Sequence, residues 1–164
     1  MVDEVDARII EIFSSDPKMS VLEASRTLGI ARATVQARLD RLAARGVVTG
    51  WGPHLSAEGI GYPVRAYCSL AIHQDSGHDA VAEALSGVPE VLELHTVSGE
   101  FDLLACVVAR SNADLQRVLD AVIATGTVVR SSTVVVLNSL IPPRALPLVR
   151  AAAGVGGPGR TGPQ

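Results

Sequence analysis

Lysine is almost missing from this chain. Lys18 is the only one, so arginine carries nearly all the positive charge, a compositional bias that by itself assigns no function. Positive charge is not in excess either. The formal net charge is -3 and the pI near 5.8, which argues against a protein that coats nucleic acid through bulk cationic character. Long apolar runs are absent: none approaches the roughly 20 residues needed to cross a bilayer, and no stretch has the layout of a signal peptide. The expectation is a cytoplasmic protein with no membrane partner. Cysteine is limited to Cys68 and Cys106, both inside strand-like apolar runs and without CxxC spacing, so buried free thiols are expected rather than a disulfide or zinc site. His54, His73, His78 and His95 are scattered, with no i, i+4 pairing, and no metal or other cofactor is implied.

What is present is organised. From Ser20 to Gly46 the chain reads as two helices around a glycine turn. Ser20-Val-Leu-Glu23 is a capping box, in which the serine and the glutamate three residues on satisfy each other's orphan backbone N–H groups. Leu22, Ala24 and Leu28 are the inward residues of that helix, Gly29 supplies a turn of positive φ, and Ile30 plugs the space between the helices. A second helix begins near Ala31 with Val35, Leu39 and Leu42 as its apolar stripe. Its other face presents Arg32, Ala33, Thr34, Gln36, Ala37, Arg38 and Arg41, a small, hydrogen-bonding and cationic set suited to entering a groove of double-stranded DNA. Upstream, Val5, Ile9, Ile12 and Phe13 form a further helical stripe ending at Ser15-Asp16-Pro17. Downstream, Val47-Val48-Thr49-Gly50-Trp51 suggests a strand pair. Residues 1–50 therefore read as a winged helix-turn-helix. Charge is focused there: Ser20 to Gly50 holds five arginines against Glu23 and Asp40, while the first nineteen residues hold two basic and five acidic groups.

Residues 51–63, rich in glycine and proline, form a linker or wing strand. From Val64 the period changes to two, with Val64, Ala66, Cys68, Leu70 and Ile72 on one strand face and Arg65, Tyr67, Ser69 and His73 on the other. A short helix over Gly77–Gly87, a strand over Val91–Val97 and a break at Ser98-Gly99-Glu100 follow. Leu103 to Ala109 is a strand apolar on both faces. A helix opened by Ser111 and closed by Gly126 comes next, then a strand from Val128 to Asn138. That order, βαββαβ over residues 64–141, is a ferredoxin-like arrangement with helices on one sheet face, making the whole chain α+β. The other face, edged by Tyr67, Ser69, His95 and Thr133, is not polar enough for water, and a second copy of the domain is its expected cover, giving a homodimer. The Pro/Gly/Ala-rich tail, residues 142–164, is expected to fray after an initial docked segment.

Gly29-Ile30-Ala31, Arg38-Leu-Asp-Arg-Leu42, Gly46-Val-Val-Thr-Gly50 and Val97-Ser-Gly-Glu-Phe-Asp102, in this order and spacing over about residues 2 to 141, resemble the Lrp/AsnC family of feast/famine transcription regulators. The resemblance implies sequence-specific DNA binding, a sensing and oligomerising second domain, and assembly beyond the dimer to a tetramer or octamer. It implies also a small-molecule effector, usually an amino acid, at a pocket bordered by the Ser98–Asp102 turn. The residues it assigns to that pocket are His95, Val97, Ser98, Gly99, Glu100, Asp102 and Thr133. Gly99 would let backbone N–H groups reach a ligand carboxylate, and Glu100 or Asp102 would accept from its ammonium. No catalytic residue is implied.

One departure stands out: family members often begin the reading helix with serine or threonine, where this chain has Ala31. An alternative on the same scaffold is an enzyme resembling the sirohaem decarboxylases, which keep this domain pair for porphyrin chemistry. The arginine-bearing helix and the lack of an acid/base partner for His95 in sequence disfavour it.

Overall fold

A computed structural model of the chain describes residues 2–73 and 77–154; the fraying expected of residues 155–164 falls outside them. The chain divides into two compact units, one formed by Met1–Pro53 with Ile141–Gln164 and the other by His54–Leu140.

The first unit is helical: α1 (Glu4–Ser15), α2 (Val21–Leu28), α3 (Arg32–Ala44) and α6 (Leu146–Ala152). Both leading helices start on reciprocal capping boxes, Asp3 with Asp6 and Ser20 with Glu23. Gly29 ends α2 at φ 69°, a conformation that a Cβ would strain, and its geometry swings the chain straight into α3. Ile9, Phe13, Ala24, Leu28, Val35 and Leu39 make the core of the unit, with Val5, Ile12 and half-buried Ile30 packed against it. Leu22 does not join them: it is 42% exposed, and the buried position on that side of α2 belongs to Ser25, whose hydroxyl donates to the Leu22 carbonyl. A serine is tolerated inside because this bond satisfies it locally.

The wing is also a correction. Among the described residues no strand lies between α3 and Val64. The N–H groups of Val47 and Val48 both turn back to the Leu42 carbonyl, so the segment finishes α3 instead of offering a ladder. Trp51 meets Phe13 edge-on, with ring centroids 5.6 Å apart and planes at 79°. The first unit is thus a helix-turn-helix braced by an aromatic pair rather than by strands. The early tail also belongs here, through α6: Arg150 Nε donates to Glu11 Oε1 of α1 at 2.5 Å.

The second unit runs β1 (Val64–Ile72), α4 (His78–Ser86), β2 (Val91–Thr96), β3 (Leu103–Ala109), α5 (Asn112–Ala124) and β4 (Val128–Val135). The strands form one antiparallel sheet in the order β2-β3-β1-β4, the ferredoxin-like order expected from βαββαβ. Ala66, Cys68 and Leu70 of β1 and Leu103, Ala105 and Val107 of β3 bury against Val81 and Leu85 of α4 and Leu115, Val118 and Val122 of α5. Glu90, nearly enclosed ahead of β2, is held by Arg117 of α5 at 2.6 Å, which favours its charged form. The two thiols are free and lie on opposite faces: Cys68 in this core, Cys106 opposite Tyr67 on the far face. Burial pushes both thiols up from their ordinary pKa.

Candidate functional site

The chain carries two candidate surfaces, one per unit. In the first, α3 turns Val35, Leu39 and Leu42 fully inward, leaving Arg32, Ala33, Thr34, Gln36 and Ala37 exposed on the other side. Ala31 takes the N-cap position in an extended conformation, and no side chain caps the helix. The N–H of Thr34 bonds back to the Ala31 carbonyl at 2.9 Å, whereas those of Arg32 and Ala33 donate to no acceptor among the described residues. The positive end of the helix is therefore open. Gln36 donates through Nε2 to Asp40 Oδ1 at 2.8 Å.

Arg38 and Arg41 behave differently from the other five. Arg38 Nη1 lies 2.6 Å from Asp3 Oδ2 and 2.8 Å from Asp6 Oδ1, and Arg41 Nη2 lies 2.8 Å from Asp6 Oδ2. The Asp6 side chain is 0% exposed. Burial works against its charge, but the Arg38 hydrogen bond and the N–H of Asp3 outweigh that and hold the Asp6 carboxyl below its ordinary range. The Arg38 bond and the N–H of Asp6 do the same for Asp3. The expectation that both arginines reach DNA is corrected on this point: their guanidiniums fasten α3 to the start of α1. The acidic first nineteen residues and the basic stretch after Ser20 are, in part, each other's partners.

In the second unit, the connection from Val97 to Asp102 is pinned at its ends. Val97 N–H donates to the Asp102 carbonyl at 3.0 Å, Asp102 N–H to the Leu70 carbonyl at 3.0 Å, and Asp102 Oδ2 accepts from Ile72 N–H at 2.9 Å. One oxygen of Asp102 is thus spent on the end of β1. At the apex Gly99 has φ 131°, open to glycine and strained for any other residue. The N–H groups of Ser98, Gly99 and Glu100 donate to no protein acceptor among the described residues. Asp102 also borders a cleft of about 310 Å³ with Ile72, His73, Gly77 and His78. Sequence reading missed the cleft, because these residues meet only once β1 and α4 are placed together.

The structure does not gather all seven residues assigned to the pocket. His95, on β2, lies opposite Leu104 on the sheet face away from the helices, with Glu93 Oε2 3.3 Å from its Nε2. It does have an acidic neighbour, two residues earlier and on the same strand face, but both side chains are more than half exposed in the single chain. Thr133 is on the wrong face for the role given it. Its register partner is Cys68, a core residue, and directly opposed residues of an antiparallel pair share a face. Its hydroxyl donates to Cys68 Sγ at 3.4 Å. Arg130, by contrast, went unnoticed. Its Nη1 lies 2.9 Å from Glu100 Oε1 and its guanidinium carbon 4.6 Å from the Phe101 ring centroid.

The chain thus joins a helix-turn-helix to an antiparallel sheet with a pinned, glycine-centred turn. Two family models bear on the chain, the AsnC-type helix-turn-helix domain over residues 2–43 and the Lrp/AsnC ligand binding domain over residues 65–146. The chain belongs to the Lrp/AsnC family of transcriptional regulators. It is 32% identical over 143 residues to the proline dehydrogenase transcriptional activator of Rhizobium radiobacter, covering 85% of this chain and 91% of that protein. To the HTH-type transcriptional regulator FL11 of Pyrococcus furiosus it is 28% identical over 138 residues, 84% and 91% of the two chains. Its fold is similar to that of Escherichia coli AsnC, with a TM-score of 0.81 at 21% identity over 90% of this chain and 99% of that one. It is also similar to the feast or famine regulatory protein of Mycobacterium tuberculosis complexed with L-methionine. There the TM-score is 0.76 and the identity 25%, over 88% and 98% of the chains. Among the described residues no helix is long and apolar enough to cross a membrane.

Proposed function

We propose that this regulator binds double-stranded DNA as a homodimer, laying α3 of each copy in successive major-groove half-sites about one helical turn apart. The observation that carries this is the exposed face of α3. Arg32, Ala33, Thr34, Gln36 and Ala37 stand clear of the core, next to an uncapped helix N-terminus whose open N–H groups suit a phosphate oxygen. Arg38 and Arg41 support the pose by fixing α3 against α1. The dimer forms through the sheet face away from the helices, where Tyr67, Leu104 and Val134 leave apolar surface uncovered and Val134 is 63% exposed.

The effector is an amino acid bound at the Val97–Asp102 turn. The open N–H groups at Gly99 and the adjoining cleft support this, as does the L-methionine complex of a related protein. Binding shifts the balance among dimer, tetramer and octamer, which requires different effector affinities in those assemblies. The exposed, arginine-bearing α3 favours this reading over tetrapyrrole chemistry on the same scaffold. The reading places the regulator in the cytoplasm with its DNA.

Operator binding of wild type and Arg32→Ala across a salt series tests the DNA half. Loss of a phosphate contact weakens binding and lowers the slope of log K against log salt by about 0.9; unchanged affinity and slope remove α3 from the reading role. Gel-filtration mass and thermal shift with each of the twenty amino acids test the sensing half, which fails if none alters either quantity.

A further inference from the structure

We infer that Arg130 is the receptor for the effector's α-carboxylate and that Glu100 occupies it in the ligand-free protein as a built-in stand-in. The inference rests on the reading of the Val97–Asp102 turn as the effector site. It comes from what the turn does with its own charges. Glu100 Oε1 is 2.9 Å from Arg130 Nη1, so a carboxylate already sits on this guanidinium. Arg130 stacks over Phe101 at 4.6 Å, which holds its plane while leaving its edge free to donate. Ala71 of β1 pairs with Arg130 on β4, and Asp102 is tied to Leu70 and Ile72 of the same β1 end. The receptor and the turn are therefore anchored to one piece of sheet, and only the Glu100 side chain need leave.

Exchange is easy because the pair is open. In the single chain Arg130 is 55% and Glu100 71% exposed, at the end of β4 away from Val134, so water screens the attraction and either group is released at little cost. The incoming carboxylate takes the same Arg130 donors in a bidentate fork and adds the unpaired N–H groups of Ser98 and Gly99, which Glu100 does not use. Specificity for α-amino acids over amines or amides follows from this exchange.

Calorimetric titration of the full chain tests it. The probes are the amino acids that shift wild-type stability, beginning with L-methionine, each set against its carboxamide. Wild type is expected to prefer the acid by about tenfold or more. Arg130→Gln loses that preference and binds both forms alike, Arg130→Lys restores part of it, and Glu100→Gln tightens the acid by about two- to fivefold through removal of the internal competitor. Far-ultraviolet circular dichroism establishes that each variant is folded. If wild type binds amino acids and Arg130→Gln keeps the acid preference, Arg130 is not the receptor and the effector reading stands. Equal or weaker acid binding by Glu100→Gln removes the stand-in role. If wild type binds none of the twenty, both the inference and the effector reading fall.

Discussion

The Arg38–Arg41 cluster of the first unit and the Arg130–Glu100 pair of the second use the same chemistry in opposite surroundings. In the first, Arg38 and Arg41 converge on Asp6, whose side chain is 0% exposed and which belongs to the capping box that starts α1. In the second, Arg130 meets Glu100 on a surface turn, with more than half of each side chain in water. A charge sealed from water cannot lose its partner without a large desolvation cost, so the first cluster is a fastening. A solvated charge gives its partner up cheaply, so the second can exchange. Burial, not the identity of the pair, separates a structural arginine from one available to a ligand.

Breaking the fastening has the largest expected effect. Asp6→Asn leaves Arg41 without its close partner and Arg38 with Asp3 alone; it is expected to destabilise the first unit by about 2 to 3 kcal/mol in urea unfolding. A loss under about 0.5 kcal/mol, the level of an exposed pair, erases the contrast between the clusters. Acid probes the same fastening. The Asp3 and Asp6 carboxyls titrate below their ordinary 3.8 in the folded chain. Their contribution is therefore complete above the unfolded-state value and is lost as pH falls through the depressed folded values. Urea midpoints of wild type from pH 6 to pH 2.5 are expected to drop below about pH 4 more steeply than those of Asp6→Asn. Parallel curves contradict the assignment.

How much of this was legible beforehand depends on whether the determinant was local. The capping boxes, Gly29, the stripe Val35, Leu39, Leu42 and the alternation of β1 are each written within a few residues, and each element formed where its pattern lies. The failures are long-range. Arg38 and Arg41 look solvent-facing in any helical projection of α3, and only the return of α1, some 35 residues earlier, gives them partners. Thr133 has an outward look in β4 taken alone, but its face is set by register against Cys68. The wing strands failed because two valines and a threonine fit a strand, while the Leu42 carbonyl at the end of α3 captured both valine N–H groups. Arg130 was missed because strand position and turn position are independent in sequence and meet only across β1.

A smaller change separates stability from recognition within the first unit. Ala31→Ser supplies the missing cap to α3 and is expected to raise stability by about 1 kcal/mol. The serine oxygen also consumes an N–H at the open end of the helix. If that end holds a phosphate, operator affinity falls while thermal stability rises, an opposition that no general change in folding produces. If both rise together, the open N–H groups have no role on DNA, and the contact surface narrows to the side chains from Arg32 to Ala37.

The smallest expected effect is the one that most sharpens the contrast between the clusters. Arg130→Gln removes a cation with three visible interactions: the ion pair to Glu100, the stacking on Phe101 and its place on β4 beside β1. Counted as contacts, it resembles Arg38. Weighted by exposure it does not, because water replaces each lost contact and no carboxylate is left buried and alone. The unfolding free energy in the absence of any amino acid is therefore expected to move by less than about 0.5 kcal/mol. A drop comparable to that of Asp6→Asn would make Arg130 a second fastening, and the exchange of its carboxylate partner would then carry a cost that no modest ligand affinity could offset.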